Sequence, residues 1–140
     1  PIVNENDSVS YAEIDADNEE HKVFGDNDTL SAVVAVLCAA DKLVLLSDID
    51  GLFDSDPTEN PSAQLISEVK EIDDKIRSLA GGAGCSRGTG GMITKLQAAE
   101  LATKNGIDMY IANGSTPELL YDIVSGKAAG TLFAGKRGQV

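Results

Sequence analysis

The stretch Gly88-Thr-Gly-Gly-Met-Ile-Thr-Lys95 has the residue types and spacing of a phosphate-binding site. Glycines let the backbone approach a ligand closely and point N–H groups at it. Residues 92–105 follow with the apolar spacing of a helix, whose start adds the positive end of its dipole. A lysine in the first turn, as expected for Lys95, lowers helix stability because its charge opposes that dipole. Its presence there is explained if the cation binds an anionic ligand. The alternative is a flexible glycine linker before an ordinary helix.

Two well-known phosphate-binding patterns do not fit this stretch. A Walker loop ends in Gly-Lys followed by Ser or Thr, whereas here Thr94 precedes Lys95. A dinucleotide-binding fingerprint requires a third glycine at the position of Ile93. The glycine-rich stretch therefore predicts a phosphate site of another kind.

Polar residues also flank predicted elements nearer the start of the chain. Residues 1–4 are predicted as the end of a strand, and Asn6 and Asp7 follow at the edge where open α/β sheets bind ligands. Turn formation is the alternative role for these two residues. The helix predicted at 29–40 is apolar almost all round and is expected to be buried, with Asp28 as its N-terminal cap.

A continuous apolar run at residues 43–46 predicts a buried parallel strand that ends in Ser47 and Asp48. The sequence Asp48-Ile-Asp50-Gly51 also resembles the strand-end motif of haloacid dehalogenase-type phosphatases, in which the first aspartate is a nucleophile. That motif is followed by Thr or Val, where Leu52 stands here, and by a downstream metal motif. This phosphatase interpretation is kept as a remote alternative.

Strands and helices alternate along the rest of the chain. Further strands are predicted at residues 64–69, 107–112 and 131–133, and further helices at residues 73–80 and between Thr116 and Gly126. Asn105 and Gly106 are expected to end the helix that carries Lys95. The alternation predicts an α/β fold with a mostly parallel sheet, and the small number of strands suggests that part of the sheet lies outside this chain.

Bulk properties exclude several classes of function. The chain has 140 residues and a net charge of −12, which predicts at most one domain and argues against nucleic-acid or anionic-membrane partners. No apolar run reaches membrane-spanning length and no signal peptide is recognisable. Cys38 and Cys85 do not suggest a disulfide or a metal site, so the cytoplasm is the expected location. The chain begins at Pro1 and reads as a piece of a longer protein.

A succession of motifs over essentially the whole chain resembles the glutamate 5-kinase group of the amino acid kinase family. The first two motifs in the following list are the narrower ones and point to this group, whereas Asp28-Thr and the Thr and Lys after the glycines are shared broadly across the family. They are Asn4-Glu-Asn-Asp7, Phe24-Gly-Asp-Asn-Asp28-Thr, Leu45-Leu-Ser-Asp48-Ile-Asp-Gly-Leu52, Gly88-Thr-Gly-Gly-Met-Ile-Thr-Lys95 and Gly130-Thr-Leu-Phe133. The resemblance implies a three-layer αβα sandwich whose N-terminal part, with another glycine-rich loop and lysine, precedes Pro1.

The resemblance also implies roles for individual residues. Asp7 and Asn27 match positions that hold the glutamate substrate, Asp28 matches an aspartate that orients the catalytic lysines, and Lys95 matches a lysine on the transferring phosphate. Positions that match ATP-binding residues are Ser47, Asp48, Thr89, Gly90, Gly91, Met92, Ile93, Thr94 and Lys95. The connection at residues 15–22 looks longer than is usual in the family, so the substrate-side loop is expected to differ in shape.

The implied reaction is ATP-dependent phosphorylation of the γ-carboxylate of L-glutamate, the first step of proline biosynthesis. ATP is the expected co-substrate, with Mg²⁺ carried by the nucleotide rather than by a protein metal site. The parent protein is expected to be a homo-oligomer inhibited by proline. Alternatives are another family member that acts on aspartate, acetylglutamate or uridylate, and a non-catalytic nucleotide-binding fragment. Residues 1–140 alone are expected to be catalytically silent and prone to association.

Overall fold

The computed structural model of this chain describes residue 2, residues 27–81 and residues 90–137. Within these ranges the strands are β1 (Lys42–Ser47), β2 (Glu68–Val69), β3 (Asp108–Asn113) and β4 (Thr131–Phe133). The helices are α1 (Asn27–Leu37), α2 (Asp74–Gly81), α3 (Gly90–Lys104) and α4 (Leu119–Val124). None of these helices combines the length and the apolar character needed to cross a lipid bilayer.

The strands form one mixed sheet in the order β1-β3-β4-β2. The pairs β1–β3 and β2–β4 are parallel, and the central pair β3–β4 is antiparallel. Ser47 at the end of β1 lies beside Asn113 at the end of β3, so the two carboxyl ends meet at one edge of the sheet. The prediction of an α/β fold with a mostly parallel sheet is confirmed, with one antiparallel pair at its centre.

Side chains of β3 alternate between two cores, as expected for a strand covered on both faces. Met109 and Ile111 are fully buried in the larger core, to which α1, α2 and α3 also contribute. Tyr110 and Ala112 belong to a smaller core on the opposite face, together with Ile123 of α4. Helices therefore cover both faces of the sheet, which gives the three layers that were predicted.

Small residues bring α1 and α3 into contact. The buried residues of α1 are Ser31, Ala32 and Ala35, and those of α3 include Ala98, Ala99 and Ala102. The helix predicted at 29–40 is present, but the expectation that it is buried is wrong for its end, because α1 ends at Leu37 and that side chain is 79% exposed. The valines of α1 are half-buried, and among them Val36 packs against the larger core. Cys38 lies just beyond α1 and is exposed.

The predicted helix ends are mostly confirmed. After α3, the N–H of Gly106 donates to Thr103 O at 3.0 Å and that of Ile107 donates to Ala102 O at 3.0 Å. Gly106 has φ +78°, a conformation that costs glycine little. Gly126 follows α4 with φ +84°. That helix begins only at Leu119, since the chain around Pro117 forms a tight turn.

The strand predicted at 64–69 is wrong over most of its length, because only Glu68–Val69 joins the sheet. The residues before it pair instead with the chain that leaves β1. The N–H of Ile66 donates to Leu52 O at 2.8 Å, and the N–H of Asp54 donates to Gln64 O at 2.9 Å. Residues 52–66 therefore form a loop that closes on itself, which we call the cleft loop.

Candidate active site

A cleft of about 330 Å³ opens between the end of β1, the start of α3 and the cleft loop. Five of the residues predicted to bind nucleotide line it, namely Ser47, Asp48, Gly91, Met92 and Lys95. Leu79 and Ala80, at the end of α2, close another side. The fold thus brings the strand end and the glycine-rich helix start to one concave site, the usual form of a small-molecule site.

The ammonium of Lys95 is held beside this cleft by a carboxylate from α1. Lys95 Nζ lies 3.1 Å from Asp28 Oδ2, and the two side chains are only 15% and 19% exposed. Thr94 Oγ1 lies 2.9 Å from the same carboxylate oxygen and donates to it. This arrangement holds the ammonium of Lys95 at the cleft, and the Asp28 carboxylate from α1 balances its charge.

Two expectations about these residues are wrong. Asp28 does not cap α1 from outside, because the helix begins at Asn27 and places Asp28 in its first turn. Lys95 is not in the first turn of α3, because Gly90 and Gly91 are already helical and make Lys95 the sixth residue. The dipole of α3 therefore opposes Lys95 less than the sequence suggested, and Asp28 offsets its charge.

Ile93 and Thr94 were predicted to bind nucleotide, yet neither lines the cleft. The Ile93 side chain is 40% exposed and packs over Gly81, where an added Cβ would meet it at 2.9 Å. The Thr94 hydroxyl lies within 2.9 Å of Gly91 O as well as of the Asp28 carboxylate. Successive residues of a helix project from different sides of it, so the side chains of a continuous motif cannot all lie in one site.

The carboxyl ends of β1 and β3 add polar groups beside the cleft. Ser47 Oγ donates to Asp48 Oδ1 at 3.2 Å. Asn113 Nδ2, from the neighbouring strand end, donates to Asp50 Oδ1 at 3.0 Å. The sequence reasoning did not single out Asn113, although its place at the end of a predicted strand was a usable signal.

The cleft loop supplies a wall that the sequence reasoning also missed. Ser55, Asp56 and Thr58 all line the cleft. The Thr58 hydroxyl donates to Asp56 Oδ1 at 2.6 Å and the Thr58 N–H donates at 2.8 Å. Both bonds hold the pKa of Asp56 below its ordinary value, and the bond from the hydroxyl has the larger effect. The wall therefore carries a carboxylate that stays ionised near neutral pH.

Two predicted residues, Asp7 and Thr89, lie outside the described residues. Asn27 is the first residue of α1 and directly precedes Asp28. Among the residues that the structure describes, there is no group of three or more His, Cys, Asp or Glu side chains able to hold a metal ion.

The sequence profile of the amino acid kinase family matches residues 1–113, a range that contains Asp28, Asp48 and Lys95. The chain belongs to the amino acid kinase family. Its Asp48-Ile-Asp50-Gly51 motif lies inside the matched range, so the phosphatase interpretation is wrong. The expected amino acid kinase fold is confirmed by this match and by the mixed sheet with helices on both faces.

Similar amino acid kinases include glutamate 5-kinase from Clostridium perfringens, which is 55% identical over 139 residues covering 99% of this chain and 50% of that protein. Glutamate 5-kinase from Vibrio parahaemolyticus is 55% identical over 133 residues, covering 95% of this chain and 33% of that protein. The chain thus spans between about a third and a half of the length of these relatives. The structure of UMP kinase from Bacillus anthracis matches with a TM-score of 0.60 at 23% identity, covering 81% of this chain and 42% of that one. At that identity the match supports the fold alone.

Proposed function

We propose that the full-length protein containing this chain transfers the γ-phosphoryl group of ATP to the γ-carboxylate of L-glutamate. Residues 1–140 would form one part of its kinase domain. The 55% identity to two proteins named glutamate 5-kinase supports this choice of substrate over other members of the family. The product would be L-glutamyl 5-phosphate, the first intermediate in the biosynthesis of proline.

The observation that carries the proposal is the ion pair between Lys95 and Asp28 beside the cleft. Phosphoryl transfer spreads negative charge over the equatorial oxygens, and catalysis consists mainly of positioning and of neutralising that charge. A cation held in place by a partly buried carboxylate needs little reorganisation when the charge develops. Lys95 is thereby suited to contact the transferring phosphate, with Asp28 as its positioning partner.

The start of α3 is suited to the phosphates of the nucleotide. Gly90 and Gly91 are the first two residues of this helix, where backbone N–H groups are available to a ligand and the helix dipole favours an anion. Ser47 and Asp48 would contact the nucleotide from the end of β1. Mg²⁺ fits this site as an ion carried by phosphate oxygens, and when bound it would neutralise part of their charge.

The acceptor needs no general base. The γ-carboxylate of glutamate has a pKa of about 4.3 and is ionised near neutral pH. Asn27 lies next to Asp28 at the start of α1, which favours a glutamate site on that side of Lys95. Asp7 would complete it. We further propose that the parent protein is a cytosolic homo-oligomer that proline inhibits.

A coupled assay for ADP release tests the proposal on the purified full-length protein with MgATP. L-Glutamate is compared with L-aspartate, N-acetyl-L-glutamate and UMP as acceptors. We expect turnover with L-glutamate alone. Turnover with another acceptor would assign a different member of the family, and nucleotide binding without any turnover would support a non-catalytic protein.

A further inference from the structure

The hydroxyl of Thr131 is completely buried and both donates and accepts a hydrogen bond with one loop. Thr131 is 0% exposed at the start of β4. Its Oγ1 accepts the N–H of Leu52 at 2.9 Å and donates to Ile66 O at 2.6 Å. A hydroxyl has one donor and two acceptor lone pairs, so this side chain uses its only donor and one acceptor site on two backbone groups.

These two groups are the two ends of the cleft loop. Leu52 begins the loop and Ile66 ends it, and the Ile66 N–H donates to Leu52 O at 2.8 Å. Thr131 therefore fastens the closed base of the loop to the sheet. Between these ends lie Asp56 and Thr58, which line the cleft, whereas Thr131 itself does not.

The close approach of Thr131 to the loop requires a glycine on each side. A Cβ at Gly51 would overlap Thr131 Oγ1. Gly130 has φ +60°, and a Cβ there would overlap the backbone oxygen of Ile111 in β3. Gly130 thus lets β4 begin against β3 at the position that puts the hydroxyl under the loop.

We propose that Thr131 is a positioning residue for nucleotide binding, whose hydroxyl holds the cleft loop in the conformation that forms one wall of the site. The inference rests on the proposed nucleotide role of the cleft. Without the hydroxyl, the Leu52 N–H and the Ile66 carbonyl lose a buried partner, which is costly enough to favour local opening of the loop.

The test uses the full-length protein and three variants. Thr131→Val keeps the shape and removes the hydroxyl, while Thr131→Ser keeps the hydroxyl. Thr103→Val is the matched control, because Thr103 is also buried and its hydroxyl bonds within α3 to Ala99 O at 2.7 Å. The Kd for MgADP, the KM values for ATP and L-glutamate, and the Tm are measured for each protein.

We expect Thr131→Val to raise the Kd for MgADP and the KM for ATP about tenfold, with the KM for L-glutamate unchanged. Thr131→Ser should restore most of the nucleotide affinity, and Thr103→Val should lower the Tm without changing either KM. Unchanged nucleotide affinity in Thr131→Val would overturn the inference, as would a loss that Thr103→Val shares. Failure of the wild-type protein to bind MgADP would instead contradict the proposed function.

Amide hydrogen exchange decides the question if Thr131→Val does not fold. In the wild-type protein, the Leu52 N–H should exchange slowly and more slowly still with MgADP bound. If saturating MgADP leaves the exchange of Leu52 unchanged, the inference is overturned without any variant.

Discussion

At the residue scale, the decisive group is a lysine whose position is set by a partner far away in the chain. Lys95 and Asp28 are 67 residues apart in sequence, and both are mostly covered. Such a pair is screened by water less than a surface ion pair and keeps the ammonium in a single place. In the proposed reaction, neutralisation of charge at the transferring phosphate would depend on that placement.

Lys95→Ala in the full-length protein is expected to lower kcat about 100-fold or more, while the Kd for MgATP changes only a few-fold. The cation acts mainly on charge that develops in the transition state, whereas the N–H groups at the start of α3 remain to bind the ground state. Steady-state kinetics and calorimetric titration measure the two quantities. A large loss of ATP affinity with turnover intact would remove Lys95 from the catalytic residues.

The carboxylate of Asp56 offers a second prediction at this scale. Thr58→Val removes the hydroxyl that lowers the pKa of Asp56, so this pKa should rise toward its ordinary value. Because the folded-state pKa is lowered, the bonds of Asp56 stabilise the loop above the unfolded-state pKa and lose this effect as the pH falls through the folded-state pKa.

NMR titration of the Asp56 side-chain carbon measures the shift. Ser55→Ala is the control, since the Ser55 hydroxyl contacts Asp54 rather than Asp56. An Asp56 pKa that is the same with and without the Thr58 hydroxyl would show that this hydrogen bond does not form in solution.

At the element scale, the contact between α1 and α3 positions the site. The first residues of each helix carry Asp28 and the glycines, and buried alanines farther along hold the two helices close together. Small side chains at a helix contact leave little free space, so the spacing of the helices is sensitive to added volume. The sequence showed an apolar α1 but not which face would meet α3.

Ala99→Leu is expected to lower the free energy of unfolding by about 1–3 kcal/mol, because Ala99 is fully buried and has no space for a larger side chain. Gln97→Leu, on the exposed side of the same helix, should change it by no more than about 0.5 kcal/mol. Urea denaturation of the full-length variants gives both values. Equal stability of the two variants would contradict the close helix packing.

At the scale of the whole molecule, the sheet depends on β4 entering antiparallel to β3 and parallel to β2. This strand has only three residues, yet it connects β1 and β3, whose carboxyl ends lie at the cleft, to the edge strand β2. Its entry point requires Gly130, where the backbone of β3 leaves no room for a side chain.

Gly130→Ala and Gly126→Ala form a matched pair, since both glycines have positive φ but only Gly130 is crowded by backbone. We expect Gly126→Ala to cost about 1–2 kcal/mol from backbone conformation alone. Gly130→Ala should cost at least about 2 kcal/mol more, because the overlap with Ile111 forces β4 to move. Chemical denaturation measures the difference, and equal costs would show that β3 and β4 are farther apart than described.

The edge of the sheet at β1 gives a final prediction at this scale. Within the described residues β1 pairs only with β3, and Leu46 is 47% exposed. We expect residues 1–140 alone to associate, the more so at high salt because the net charge of −12 is then screened. Sedimentation velocity measures this. A chain that stays monomeric at all salt concentrations, or associates as readily with Leu46→Lys, would contradict it.

Local physical chemistry let the sequence alone determine much of this protein. Some sequence patterns act over only a few residues: apolar runs that end in polar residues, and glycine after a helix. The existence of α3, the end of β1 and the turn at Gly106 were therefore predictable, whereas the first residue of α3 was not. The order of these elements was also enough to predict the α/β class.

Contacts between distant segments were decided only by the tertiary structure. The pairing of Asp28 with Lys95 depends on α1 packing against α3, and the bonds of Thr131 join residues 79 and 65 positions away. The pairing of residues 64–66 with the chain after β1, instead of with the sheet as part of the strand predicted at 64–69, depends on which backbone groups are in reach. Local propensity carries no information about such neighbours, because the same segment satisfies its hydrogen bonds differently in different surroundings.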